Sequence, residues 1–458
     1  MSIDVNPPSG TRDLFAADVR LRRRTFAAVQ SVFEAHGFEP LDTPAFERLE
    51  VLSGKYGEEG EQLIFRILRR GEQAATGEAD LALRYDLTVP LARVVARYGS
   101  QLPVPFKRYQ IANVWRADRP GRGRFREFTQ CDIDVAGSTS PLADASVLLA
   151  VLDALDALGL GDVTVHLNDR DALHGLVASY GVPEALGASA LTALDKLAKI
   201  GPDGVAAELR DRGVPAAAID ALHADLAAED RVAALTARIA TDERGRTGLA
   251  RVAELQDLLP ADAAERVVRD PVLARGLGYY TGPVFEVTHP ALDASIAAGG
   301  RYDGLVGMFA GGDVPAVGGS LGLERILLIL AERAADGAAA PDAPDVLVTV
   351  LDPTDGADVL GVAQRLRAAG VRADVWTGEG RLGKQLRHAD RRGVRFALVR
   401  GEAERAAGSV TLKELATGEQ TTVAEADAPA LLLAARAAGA DGTGAAPAPD
   451  RADPEARP

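Results

Sequence analysis

Three arginines stand where this chain could do chemistry. Arg116 closes the apolar run YQIANVWR, Arg275 opens the glycine-rich ARGLGYYTG, and Arg325 sits in the first turn of a helical run entered through GGSLGLER. Arginine presents a planar, permanently charged fork that suits phosphate oxygens. One such arginine alone reads as a surface ion pair; three in distinct settings are a better clue to an anionic ligand. The residues for other chemistries are missing. There is no Walker P-loop and no GxSxG elbow, and the six histidines and single cysteine, Cys131, show no metal-ligand spacing, so no protein metal site is expected.

At 458 residues the chain is long enough for two or three domains. With 47% hydrophobic and 26% charged residues it has the composition of a globular protein with a sizeable core. A lone cysteine excludes an internal disulfide and suits a reducing compartment. MSIDVNPPSG lacks the basic-then-apolar pattern of a signal peptide, and no apolar stretch is long enough for a membrane span. A cytoplasmic protein is expected. The net charge of −15 argues by itself against nucleic-acid binding, yet binding depends on local patches. Two basic patches stand out. One runs Lys107, Arg108, Arg116, Arg119, Arg122, Arg124, Arg126, and the other Arg381, Lys384, Arg387, Arg391, Arg392, Arg395, Arg400. Either could be a solvated face; glycines and aromatics thread the first.

The elements that must hold these residues follow from periodicity. Apolar spacing predicts a helix over 17–36, stopped by Gly37, then strand-like GFEPLDTPAF. A strand runs into a helix over 81–98, with Pro90 near the helix start. Strands at 104–116 and 125–136 are joined by ADRPGRGR as a hairpin with a long, basic, flexible tip. An apolar helix covers 141–160, and an Ala/Leu-rich helical module without chemical motifs spans about 170–265. Strand-like, glycine-rich sequence returns at 275–322, before the helix LERILLILAERAA. After the linker DGAAAPDAP, strand, helix, strand, helix and strand alternate in the rhythm of a small α/β domain. The Ala/Pro/Asp-rich tail is expected to be disordered.

Several of these stretches together closely resemble the class II aminoacyl-tRNA synthetases, and among them the histidyl-tRNA synthetase family. GFEPLDTP, with Pro44, looks like the first class motif, at a dimer interface; VWRADRPGRGRFREFTQCDIDVAG is similar to the second, an ATP-holding hairpin; GGSLGLERIL resembles the third. LRYDLTVPLAR and LARGLGYYTGPVFE resemble peptides specific to the histidine enzymes. The resemblance runs from GTRDLF to about residue 435. It implies an α+β fold. A class II catalytic domain, an antiparallel sheet flanked by helices, would occupy 1–335 with the helical insertion at about 170–265. A linker would follow at 336–344, an anticodon-binding α/β domain at 345–435, and the tail at 436–458.

The implied activity is ligation of L-histidine to tRNA(His): activation with ATP to histidyl-adenylate and pyrophosphate, then transfer to the 3′ end. By the same resemblance Arg116 and Arg275 are catalytic, gripping the α-phosphate from two sides. No general base is required, because the nucleophile is already a carboxylate. Asp86, Leu87, Thr88, Gln130, Asp134, Tyr279 and Tyr280 would bind histidine together with both arginines. Arg116, Asp118, Arg124, Phe128 and Arg325 would bind ATP, with Mg²⁺ held through phosphates and water. Partners would be tRNA(His), L-histidine and a second copy of the chain in a homodimer, with no membrane. Two positions depart from the family pattern: Gly278 replaces a usual acidic residue, and Asp118 a usual glutamate. The rival reading is a non-catalytic paralogue that regulates ATP phosphoribosyltransferase. It generally lacks the C-terminal domain and parts of the ATP-gripping set, which this chain retains. A synthetase for another amino acid is opposed by LRYDLT and ARGLGYYTG.

Overall fold

Alternation along one strand sets the geometry of everything that follows. In Glu127–Ala136 the residues Cys131, Ile133 and Val135 are buried in an apolar core, while Phe128, Gln130, Asp132 and Asp134 line cavities on the opposite side. This is the two-residue period of an extended chain. The computed structural model describes residues 3–274, 279–336 and 343–441. Two units emerge: Met1–Leu14 with Leu21–Leu330, and Phe15–Arg20 with Ala331–Pro458.

In chain order the strands of the first unit are β1 (Glu39–Pro40), β2 (Phe46–Arg48), β3 (Arg66–Leu68), β4 (Ala79–Leu83), β5 (Phe106–Trp115), β6 (Glu127–Ala136), β7 (Thr164–Asp169), β8 (Val267–Arg269), β9 (Pro283–His289), β10 (Leu292–Arg301) and β11 (Ala316–Leu321). Eight of them form one sheet in the order β1-β5-β6-β11-β10-β9-β7-β8, and β2-β4-β3 form a small second sheet. The large sheet is antiparallel except for its two edge pairs, β1 with β5 and β7 with β8. Its apolar face packs on the helix Pro141–Ala157 through Val147, Leu148, Val151 and Leu155, and on Ile326 and Ile329 of the helix Leu323–Asp336. Ser140 starts the first of these by accepting from Leu142 N, with Pro141 supplying the fixed φ of a first helical residue. Each such buried aliphatic side chain contributes about 1.5–3 kcal/mol. The sheet therefore has one dry face and one face free for polar work.

The stretch after β7 is helical from Arg170 to Ala264 and has its own core, with Leu173, Leu176, Leu191 and Leu222 buried in it. The helix expected at 17–36 is found at Ala16–Ala35. Around the hairpin tip the outcome differs from the expected flexible loop: Gly121 and Arg124 bridge to each other, and Arg126 donates its N–H to the Gly10 carbonyl at 2.7 Å.

In the second unit β12 (Val346–Val348), β13 (Ala373–Val375), β14 (Phe396–Val399), β15 (Ser409–Glu414) and β16 (Gln420–Ala424) form a sheet in the order β13-β12-β14-β15-β16. The first three strands are parallel, as the alternating pattern implied. The antiparallel β15–β16 hairpin is an element beyond the alternating strands and helices expected from the sequence. A helix, Ala428–Asp441, also corrects the expected tail boundary, since 436–441 continue it. Leu432 buries against the sheet and Arg436 reaches Asp345 at 3.1 Å, which anchors the helix beyond residue 435. Residues 442–458 of the expected tail, and 337–342 of the expected linker, lie outside the described residues.

Candidate active site

Two adjoining cavities open on the polar face of the large sheet. The smaller, about 70 Å³, is lined by Asp86, Thr88, Arg116, Gln130, Asp134, Tyr279 and Tyr280 among others. The larger, about 520 Å³, is lined by Arg116, Asp118, Arg124, Phe128 and Arg325, and shares Arg116, Gln130 and both tyrosines with the first. That volume lies within the roughly 300–1,000 Å³ of small-molecule sites. So the residues read as amino-acid-binding and those read as nucleotide-binding gather in neighbouring spaces, with Arg116 at the seam.

Arg116 follows directly on β5, so the strand end aims it. Its Nε donates to the Tyr85 carbonyl at 2.9 Å and its Nη2 to Gln130 Oε1 at 3.3 Å. The guanidinium stacks over the Tyr85 ring at 4.4 Å and sits 5.1 Å from the Phe128 ring centre. Such contacts fix an arginine without neutralising it, leaving its charge for an anion. Across the seam Arg124 pairs with Asp118 at 2.8 Å, and Arg325 donates to the Ser295 carbonyl at 2.6 Å. Gly123 makes the tip fit against the third-motif helix. Its φ is +70°, and a Cβ there would meet Leu328 Cδ1 at 3.2 Å.

The smaller cavity is built around buried carboxylates. Asp86 Oδ1 accepts from Val89 N and from Tyr56 Oη, each at 3.1 Å. Asp134 pairs with Arg108, which is wholly buried, at 2.8 Å and accepts from Tyr302 Oη. Burial pushes the carboxyls of Asp86 and Asp134 above their usual range, while Arg116 pulls the first back and Arg108 the second. Burial likewise raises the hydroxyls of Tyr56, Tyr279 and Tyr302 well above the ordinary phenol value, so they stay protonated donors. The rings of Tyr279 and Tyr280 lie 4.7 Å apart, and Tyr302 meets Tyr279 edge-on at 6.2 Å. An occupant with both a cationic group and ring donors and acceptors would be satisfied here.

Not every expected residue reaches the cavities. Leu87 is fully buried behind the wall, and its contribution is a carbonyl that accepts from Arg108 Nη2 at 3.1 Å. Arg275 and Gly278 lie outside the described residues. Conversely, Asp132 and Tyr302 line the smaller cavity, and Arg108 and Tyr56 bind its carboxylates from behind, although the sequence gives none of the four a role at the site. For Asp132 a signal existed, since it shares the strand face of Gln130 and Asp134. Among the described residues no group of three or more His, Cys, Asp or Glu could hold a metal ion, and no helix is long and apolar enough to cross a membrane.

Comparison with known proteins gives a consistent picture. A family model for histidyl-tRNA synthetase matches residues 10–326, and one for an anticodon binding domain matches residues 345–435. The histidine–tRNA ligase of Gloeobacter violaceus is 40% identical over 92% of this chain and 97% of its own. That of Aeropyrum pernix is 41% identical over 91% of this chain and 95% of its own. The crystal structure of a histidyl-tRNA synthetase from Nostoc superimposes with a TM-score of 0.77 at 32% identity, covering 95% of this chain and all of that one.

Proposed function

From the premise that this chain belongs to the histidyl-tRNA synthetase family, we infer how its residues divide the work of a histidine–tRNA ligase. The enzyme is an aminoacyl-tRNA synthetase: it uses ATP and joins histidine to tRNA. In the first half-reaction the histidine carboxylate attacks the α-phosphorus of ATP and pyrophosphate leaves. In the second, a ribose hydroxyl at the tRNA 3′ end attacks the acyl carbon of histidyl-adenylate and AMP leaves. The observation that carries the residue assignment is the seam at Arg116, a fixed cation shared by a nucleotide-sized cavity and a carboxylate-lined one.

We assign Arg116 to the carboxylate and the α-phosphate, where negative charge accumulates in the transition state. To Arg275 we assign, on the family resemblance, a second grip on the same phosphate. Phe128 stacks on adenine, while Arg124 and Arg325 hold the far phosphates and the other adenine face. Asp86 and Thr88 take the α-amino group; Gln130, Asp134, Tyr279 and Tyr280 take the rest of the amino acid. The carboxylates facing the larger cavity are already engaged, Asp118 by Arg124 and Glu324 by Arg12 and Arg22. With both carboxylates taken up, Mg²⁺ would be carried by ATP rather than held by these side chains, and would supply charge neutralisation at the phosphates. The catalytic part spans 1–335 with its helical insertion, and 345–435 reads the anticodon. The cytoplasm is the assigned compartment, in keeping with a lone, fully buried thiol, Cys131. A homodimer is supported by exposed apolar side chains on the small sheet, Phe46 just after the first motif and Leu68 on another strand of the same sheet.

Purified protein should catalyse pyrophosphate exchange with histidine and with none of the other nineteen amino acids. Arg116→Ala or Arg275→Ala should each cut that rate by roughly 10²-fold or more. Exchange driven equally by another amino acid would refute the substrate, and near-normal exchange in either variant would refute its role. Light scattering on the same active sample should give twice the chain mass; a fully active monomer contradicts the dimer.

A further inference from the structure

The alternation that brings Gln130 and Asp134 to the cleft also brings Asp132, which the assignment above leaves idle. Asp132 is 3% exposed and lines the smaller cavity. Both its oxygens lie 3.4 Å from Gln130 Nε2. Ser320, opposite it in register on β11, hydrogen-bonds its carboxylate. Gln130 meanwhile turns its own oxygen to Arg116 Nη2 at 3.3 Å. A carboxylate can only accept, so it draws the amide nitrogen of Gln130 toward itself and leaves the amide oxygen for the arginine.

We propose that Asp132 is a positioning and specificity-determining residue for histidine activation: it holds the Gln130 amide against Arg116 and adds a third carboxylate to the cavity that receives the cationic end of the amino acid. The inference rests on the reading of this cavity as the histidine site.

The charges around Asp132 explain why a third carboxylate matters. Arg108 faces it from β5, Asp134 from β6 itself, Asp86 from ahead of the helix Thr88–Tyr98, Tyr279 from the cavity wall, and Cys131 from the sheet's other side. Arg108 is already engaged by Asp134. Arg116 also lines this cavity, so among the described residues three carboxylates, Asp86, Asp132 and Asp134, face two guanidinium groups, Arg108 and Arg116, and an arriving ammonium group corrects the imbalance. Burial, the largest influence, pushes the Asp132 carboxyl up to about 7; Arg108 pulls it down and Asp134 pushes it further up. Below that value the group is protonated and offers an ammonium little. Above it the group is ionised and attracts one. KM for the amino acid therefore falls as pH rises through about 7. Stability of the empty protein runs the other way. A carboxyl raised on folding contributes stability below its unfolded value and loses it as pH rises through about 7, and the bound amino acid offsets the loss.

The test is amino-acid-dependent pyrophosphate exchange between about pH 6 and 8, run with histidine and with a triazole analogue whose ring does not titrate in that window, so that an inflection seen with both does not come from the imidazole. Asp132→Asn is nearly isosteric; it removes the charge and exchanges one of the two acceptor oxygens facing Gln130 Nε2 for an N–H donor. Its KM should rise about ten- to hundredfold and lose the inflection seen in the parent. Ser320→Ala is the second variant. It deletes a hydrogen bond that favours the ionised carboxylate, so its inflection should move to higher pH. A folded Asp132→Asn protein that keeps the parent's KM and inflection overturns the inference and leaves histidine activation standing. Should that variant not fold, an unmoved inflection in Ser320→Ala overturns it equally. A parent without histidine-dependent exchange would instead overturn the reading of the site.

Discussion

A glycine decides whether the smaller cavity can hold its carboxylates at all. On β11, Gly318 lies opposite Asp134 in register, and a Cβ at that position would meet Asp134 Oδ1 at 2.0 Å and the Ile133 carbonyl at 2.9 Å. Gly318→Ala should therefore push Asp134 away from Arg108 and Tyr302. Overpacking of this kind costs about 1–3 kcal/mol. We expect a lowered melting temperature and a KM for histidine raised at least about tenfold, with KM for ATP changed less. Equal increases for both substrates would mean that the whole sheet, and not the Asp134 carboxylate, had moved. The same scale shows what could be read beforehand. Arg116, Gln130 and Asp134 sit in a continuous motif, so their type and order suffice to name them. Tyr302 meets Asp134 across 168 residues of chain and Tyr56 meets Asp86 across 30, contacts that no local pattern encodes. Arg108 stood out as one member of a basic run, yet it is fully buried and opposite Asp134 on the neighbouring strand. Charge runs suggest solvated faces, and only strand pairing shows otherwise.

Among the elements, the N-terminal arm and the hairpin tip belong together. Arg12 stacks its guanidinium 3.7 Å over the Phe125 ring and pairs with Glu324, which also binds Arg22. Arg126 reaches back to the Ser9 carbonyl at 3.2 Å, and Gly10, at φ +81°, lets the arm pass. Phe125 and Glu324 both line the larger cavity, so the arm braces only the side that we assign to ATP. Arg12→Ala should raise KM for ATP about five- to tenfold and barely change KM for histidine, Arg22 still neutralising Glu324. An unchanged KM for ATP would reduce the arm to a structural tie. This bracing explains why the tip, rich in glycine and arginine, departs from the flexible loop expected of it: its partners come from residues 9–12, more than a hundred positions away. The hairpin strands themselves were legible, because β5 and β6 are long and bounded by turn residues. The β15–β16 hairpin is not legible in the sequence for the opposite reason. On β16 the burial pattern is almost wholly exposed, so its residues carry no apolar alternation to read.

For the molecule as a whole, a net charge of −15 opposes any polyanion, so tRNA must be met by local fields. Six of the seven residues of the second basic patch fall into two kinds. Arg392, Arg395 and Arg400 are taken up by Asp374, Glu414 and Asp358 within their own unit. Lys384, Arg387 and Arg391 are exposed on one face of the helix Leu382–Arg391 and make no ion pair among the described residues. Gln385 seats that helix by bonding both the N–H and the carbonyl of Val350, at 2.9 and 2.6 Å, which leaves the cations pointing outward. Charge and support thus agree that this face is available to a phosphate backbone. Every residue assigned to histidine or ATP lies in the first unit. Replacing Lys384, Arg387 and Arg391 together with glutamate should then raise KM for tRNA in the charging reaction by at least about tenfold. It should also flatten the logarithmic salt dependence of tRNA binding by about two to three. Pyrophosphate exchange, which needs no tRNA, should stay near the parental rate. If charging and exchange fell in equal measure, the two units would not divide the work as inferred; if neither changed, the tRNA backbone would have to lie on another face.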